Sequence, residues 1–189
     1  TPALSSAASD VYKRQGKYLP NSNDINILIT SFKSKSYSLN KLVNICLYTD
    51  EQKKISKLSN IKSINKIVPV LSSIYAKNNN ADNALLTNTN GNIIEASNSN
   101  IFIVIKDIIF TPPEEDGPVL GTMREWVINN IEVKYKSLTK ENILEADEIF
   151  LTNSISGITG VSKLNNYNKK FKNKLSIKLQ QKLINSYLD

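Results

Sequence analysis

The chain carries no histidine and a single cysteine. Its chemistry must therefore come from lysine, carboxylates, hydroxyls or a bound cofactor. Ser–His and Cys–His nucleophile pairs are excluded, and so are most zinc sites. Cys46 lies in Leu-Val-Asn-Ile-Cys-Leu-Tyr, residues 42–48, a strand-like run in which it reads as a small core hydrophobe. Four segments could do chemistry: Lys62-Ser63-Ile64-Asn65, residues 92–102, residues 117–124, and Phe150-Leu151-Thr152-Asn153-Ser154. A lysine reacts as an amine only when neutral, which requires desolvation or a neighbouring cation. Lys62 precedes a predicted helix in a locally apolar context, although most lysines are solvated surface charges. A helix that opens on glycine offers free backbone N–H groups to a phosphate, and Leu120-Gly121-Thr122-Met123-Arg124 has that form. Glu95 stands at a strand end, where a carboxylate is ordinarily solvated. Ser154 stands in a strand-to-loop turn, where a hydroxyl serves equally as a turn former.

The elements that must position these residues follow from periodicity and turn chemistry. Residues 25–30 and 41–48 are β-rich runs, and the polar stretch 50–57 has room for a short helical turn. Apolar residues at 67, 70, 71 and 74 predict a helix over 65–77, with Pro69 near its start, where a missing N–H costs least. Residues 84–87 and 92–95 pair around Thr89-Asn90-Gly91-Asn92, in which Asn-Gly supplies positive φ. Residues 100–105 and 107–110 form a second pair about Lys106-Asp107. Helices are expected over 121–131, 139–145 (with Thr139 as N-cap) and 170–188, and short strands over 132–135 and 148–152. This order of elements implies a mixed α/β, or α+β, domain. Trp126, Tyr48 and Phe150 are expected in the core.

Composition bounds the class. At 189 residues and 40% hydrophobic content the chain can bury one sizeable core. No apolar run approaches the roughly 18 residues of a membrane helix, and no signal peptide is recognisable. A soluble, cytoplasmic protein without a membrane partner is the expectation, and the lone cysteine fits a reducing compartment. The net charge of +7 comes from lysines scattered among asparagines rather than from arginine-rich clusters, so a nucleic-acid partner is not expected. Residues 1–15 match nothing that follows and are expected to be a non-native leader, leaving 16–189 as the domain.

Taken in order, the four segments resemble the class IV aminotransferase family, the fold-type IV enzymes of pyridoxal 5'-phosphate. The family includes branched-chain and D-amino acid aminotransferases and 4-amino-4-deoxychorismate lyases. The resemblance runs from about residue 18 to 162 and is most specific over 62–124. It implies the C-terminal large domain of the D-amino acid aminotransferase-like fold, without the small N-terminal domain that supplies the family's phosphate-binding arginine. It also implies a homodimer acting on a small amine or amino acid, and no metal. Lys62, with Asn65 three residues on, matches the Schiff-base lysine, which also moves protons at the substrate α-carbon. Glu95, 33 positions later, matches the carboxylate that keeps the cofactor's ring nitrogen protonated. Asn100, Ile101 and Phe102 complete the family's Glu-x-x-x-x-Asn-[Ile/Leu]-Phe pattern, with Asn100 shaping the turn that aims Glu95. Gly121-Thr122-Met123-Arg124 stands for the family's Gly-Ile-Thr-Arg, so the N–H groups of Thr122 and Met123 are the phosphate donors, and Met123 replaces the usual threonine. Ser154 matches a second phosphate-side hydroxyl, whereas Arg124 is expected to be structural or substrate-side. Ile67 stands where branched-chain aminotransferases carry a tyrosine. Lys-Ser-x-Asn, together with residues 150–154 followed by Gly157, looks more like the lyases. The expected activity is release of pyruvate from 4-amino-4-deoxychorismate to give 4-aminobenzoate. Transamination at the same Lys62 and Glu95 is the alternative, and an inactive folded fragment is the reading outside enzymology.

Overall fold

The computed structural model describes residues 27–30 and 37–186. The expected leader over 1–15 and part of the expected strand over 25–30 lie outside them. The described part of that strand, 27–30, is exposed and has no strand partner among the described residues, and residues 50–57 form turns and a single bridge rather than helix.

Six strands close on one another. They are β1 (Leu42–Leu47), β2 (Asn83–Thr87), β3 (Ile93–Ala96), β4 (Ser99–Ile105), β7 (Glu148–Asn153) and β8 (Gly157–Leu164). The pairings run β1–β2–β3–β4–β7–β8 and return to β1, so these strands form a ring. Outside it, β5 (Ile108–Thr111) extends β4, β6 (Lys134–Tyr135) extends β5, and β9 (Lys169–Lys170) pairs with β8. The tight β4–β5 turn falls at Lys106-Asp107, as its sequence predicts, and holds both residues at positive φ. β8 has no counterpart among the sequence-predicted strands, and β9 (169–170) runs one residue into what was expected to be the terminal helix.

Side chains alternate across the ring, as strand geometry requires. Ile45, Leu47, Leu85, Ile93, Ile101, Ile103, Ile149, Leu151, Val161 and Leu164 form one buried cluster to which all six ring strands contribute. This cluster fills the inside, as in other small barrels. Leu138 and Ile143 join it, the latter from α3 (Lys140–Glu145), whose capping box pairs Thr139 with Asn142. The outward-facing residues meet helices. Phe102, Phe150 and Ile158 pack against Met123 and Val127 of α2 (Thr122–Asn130) and against Leu179 and Leu183 of α4 (Lys174–Asn185). The Phe102 and Phe150 rings stack with centroids 4.9 Å apart. Cys46, Tyr48, Ala84 and Leu86 pack against Ala76 of α1 (Ile67–Asn78).

The periodicity over 65–77 finds the helix but not its buried side. Ile67, Val70, Leu71 and Ile74 are exposed, and Val68, Ser72, Tyr75 and Ala76 face the sheet. Cys46 is fully buried, and burial pushes its thiol from an ordinary 9.0 up to about 11. Tyr48 and Phe150 are buried and Trp126 is half-buried, as expected of core aromatics.

Two outcomes follow. Native Cys46 should not react with a thiol reagent at pH 8 and should react at once on unfolding. Because the unfolded thiol ionises first, stability should fall as pH rises from about 9 to about 11. Gly157 has φ +69°, and a Cβ there would lie 2.6 Å from Gln180 Oε1 and 2.9 Å from Leu183 Cδ2. Gly157→Ala should therefore cost about 1–3 kcal/mol in a urea or thermal unfolding experiment.

Candidate active site

Glu95 is aimed by an irregularity in its strand. Leu86 pairs with Glu95 but Thr87 pairs with Ile93, so Ile94 is one residue extra. Such a bulge re-aims the side chains beside it. Glu95 is 5% exposed. Its Oε1 accepts from Lys53 Nζ at 2.9 Å and its Oε2 from the Val119 N–H at 2.8 Å. A carboxylate has about four lone-pair sites, so each oxygen keeps capacity for one further donor.

Asn100 pairs across the strand with Glu95 on one side and Thr152 on the other. Its Nδ2 donates to the Val119 carbonyl at 2.6 Å. A Cβ on Gly121 would overlap Asn100 Oδ1, so only glycine lets the start of α2 come this close. Asn100 was expected to shape the turn that aims Glu95; it lies in β4 opposite Glu95, and its side chain bonds to the segment before α2. The N–H groups of Thr122 and Met123 are the first two of α2 and have no carbonyl partner within it. The Thr122 side chain is exposed, while the Met123 side chain is buried in the core under α2, so Met123 can offer only its backbone. Ser154 lies in the β7–β8 turn, two residues beyond Thr152, and is half-buried. Asn153 Oδ1 fixes that turn by accepting from the N–H groups of Ile155 and Ser156 at 3.0 and 2.7 Å. Thr152 Oγ1, on the same row of the sheet as Asn100, is buried without a partner among the described residues.

Lys62 is exposed, and its amine has no hydrogen-bond partner among the described residues. The apolar setting expected from its neighbours is present in type but not in burial, since Ile61 and Ile64 are 54% and 75% exposed. The chain just before Lys62 is anchored by polar bonds. Asn60 Nδ2 donates to the carbonyls of Glu114 and Pro118 at 3.0 and 2.9 Å, and the Asn60 carbonyl accepts from Leu120 N–H at 3.1 Å. Lys62 thus emerges two residues from a point bonded to the segment that leads into α2. Lys66 is half-buried, and its amine is held below the ordinary lysine value, first by burial and then by the charge of Lys53, with Lys62 adding to it and Glu95 opposing.

Arg124 is structural. It is buried, donates from Nη2 to the Pro112 carbonyl at 3.0 Å and lies 5.6 Å over the Tyr135 ring. Two participants escaped the sequence reading. Lys53 looked like any lysine in a polar stretch. Asn88, fully buried, donates to the Asp116 carbonyl at 3.0 Å and accepts from the N–H groups of Asn90 and Asn92, tying the β2–β3 hairpin to the turn before α2. An asparagine two residues before Asn-Gly was the available signal for the second; nothing in the sequence marked the first.

The arrangement can hold an anion at the start of α2, a protonated ring nitrogen at Glu95 and a carbonyl carbon at a lysine. The chain is also similar in sequence and fold to known proteins. A protein of Methanocaldococcus jannaschii assigned as a branched-chain-amino-acid aminotransferase is 32% identical over 129 residues, covering 65% of this chain and 45% of that one. The solved structure of a Legionella pneumophila protein assigned as a 4-amino-4-deoxychorismate lyase superposes with TM-score 0.69 and 28% identity, over 86% of this chain and 60% of that one. A branched-chain aminotransferase of Thermoproteus uzoniensis shares the fold with TM-score 0.80 at 23% identity, over 95% of this chain and 61% of that one. The chain spans about half the length of the curated relative and three-fifths of these solved chains. The profile of amino-transferase class IV matches residues 5–164, a span that contains the bulged Glu95 strand, the glycine-opened helix and the Ser154 turn, and the chain accordingly belongs to that family.

Proposed function

We propose that this chain forms the pyridoxal 5'-phosphate-binding part of an enzyme, with Lys62 as the anchoring amine. The buried Glu95 carboxylate carries this reading, because burial at 5% exposure leaves lone pairs that only a specific donor can use. The other residues fit the group as well. The amides of Thr122 and Met123 open an α-helix beside a glycine that admits no side chain, and Ser154 adds a hydroxyl from the neighbouring turn. When bound, the cofactor supplies an electron sink for charge that develops on the substrate. Glu95 holds the proton on the ring nitrogen. The N–H groups at the start of α2 bind and orient the phosphate. The freed Lys62 amine moves a proton at the substrate carbon.

The reaction we favour is loss of pyruvate from 4-amino-4-deoxychorismate to give 4-aminobenzoate. Lys62-Ser63-Ile64-Asn65, the run 150–154 followed by Gly157, and the 28% identity to the Legionella pneumophila protein over 86% of the chain support it. Transamination of an amino acid is the second reading, favoured by the 32% identity to the Methanocaldococcus jannaschii protein. Both readings extend to a small amine or amino acid as substrate and to homodimeric assembly.

The purified chain, supplied with pyridoxal 5'-phosphate, should show a visible absorption band that borohydride abolishes. Lys62→Ala should lack the band, and Glu95→Gln should keep it while losing at least about 100-fold in turnover. Production of 4-aminobenzoate and pyruvate from 4-amino-4-deoxychorismate supports the lyase, and keto-acid formation from an amino acid supports the transaminase. A borohydride-sensitive band without either turnover marks a folded, inactive chain. A wild-type chain with no band refutes the cofactor reading.

A further inference from the structure

Among the described residues, Lys53 is the one whose side chain bonds to the Glu95 carboxylate, and neither the exposed Lys62 nor Lys66 does so. Its ammonium has three donors and no acceptor. All three donors are used: Glu95 Oε1 at 2.9 Å, the Ser59 carbonyl at 2.9 Å and the Gly117 carbonyl at 2.8 Å. The three acceptors belong to three separate segments, namely the loop that leads to Lys62, strand β3, and the turn that leads into α2. The local chain is built to bring them together. Gly117 has φ +83°, and a Cβ there would stand 3.0 Å from Ser59 Cβ. Ser59 is buried, accepts from the Ser56 N–H at 2.7 Å and donates to the Lys54 carbonyl at 3.0 Å. The Lys53 backbone is fixed too, since its N–H donates to the Thr87 carbonyl at 2.8 Å.

We infer that Lys53 is a positioning residue for the site: one ammonium sets the direction of the Glu95 carboxylate and clamps to it both the loop carrying Lys62 and the turn into α2. This inference rests on the reading of Lys62 and Glu95 given above. Lys53 touches neither substrate nor cofactor in this role. It occupies one lone pair of Oε1, as Val119 N–H occupies one of Oε2, and leaves the remaining lone pairs in a fixed direction for a ring N–H. An amine with all three donors engaged, two of them by backbone carbonyls, is not available as the anchoring nucleophile.

The test combines three measurements on the purified chain and on Lys53→Met, Lys53→Gln and Lys53→Arg. The first needs no cofactor: hydrogen exchange of the Val119 amide, which bonds to Glu95 Oε2, should be at least about 10-fold faster in Lys53→Met than in the wild type. The second is a double-mutant cycle on the affinity for pyridoxal 5'-phosphate. Lys53→Met should weaken binding about 10-fold or more with Glu95 present and change it little in the Glu95→Gln background, and Lys53→Arg should recover part of the loss. The third is borohydride trapping with peptide mapping, which should place the label on Lys62. Should Lys53→Met fail to fold, Lys53→Gln, which retains side-chain donors without the charge, takes its place. Unchanged Val119 exchange overturns the inference even where no cofactor binds. An equal loss of affinity in both backgrounds overturns it too, because that is the mark of a merely structural lysine. A label on Lys53 overturns it by making Lys53 the anchor. A wild type that takes up no cofactor while Val119 exchange responds as expected refutes the proposed function and leaves Lys53 as the clamp of Glu95.

Discussion

A carboxylate taken out of water must be met by donors on both oxygens, or it does not stay charged. Glu95 is such a group, and neither of its donors comes from its own strand. One is an ammonium from a loop more than forty residues upstream in sequence, and the other is a backbone amide from the turn before α2. The loop over residues 53–61 contributes little apolar surface to any core, with Leu58 and Ile61 exposed. It is ordered by polar bonds instead: those of Lys53, of the Ser56–Ser59 pair and of Asn60. The segment that carries the candidate reactive lysine is therefore placed by the same charge that gives the site its character. Ordinary cores are placed by burial alone.

The ring of strands explains why all this happens on an outer surface. Six strands close over an aliphatic filling, which offers a polar ligand no partner. Chemistry has to be assembled outside, where β3, β4 and β7 present Glu95, Asn100 and Thr152 in one row and α2 starts directly above. The bulge at Ile94 lets a strand that is otherwise apolar on both faces turn a carboxylate toward that row. Gly121 lets the helix approach it. Each device is a local breach of regular geometry, and the breaches coincide with the candidate site, as expected where function competes with regular packing.

Much of this was legible in the sequence. Turn chemistry located both hairpins, because Asn-Gly and the Lys106-Asp107 pair leave few alternatives. Alternation and β-branched runs located β1, β2, β4 and β7. Glu95, Asn100 and Gly121 could be singled out because a motif fixes their order. What escaped was whatever depends on long-range partners. β8 contains Gly157 and Gly160 and lacks a strong alternation signal; it is a strand because β1 and β7 flank it. The start of the terminal helix was placed too early because the lysine-rich stretch before it pairs with β8 as β9, a contact no local pattern announces. Lys53 is the sharpest case. Its neighbourhood is polar and low in periodicity, and its importance exists only once Glu95 and Gly117, 42 and 64 residues away, have been brought to it.

Closing the strands also changes where this chain is vulnerable to contact with its own kind. A sheet usually exposes long edge strands whose unpaired backbone can template another chain. Here the strands that end the sheet, β6 and β9, are two residues each. An exposed surface of a different sort lies on α1, where Ile67, Val70, Leu71 and Ile74 form an aliphatic stripe continued by Ile61 and Ile64. Association through that stripe would be greasy rather than fibrous. It would be promoted by salting-out anions such as sulfate, relaxed by cold, and free of the strand register that makes fibrils so hard to dissolve.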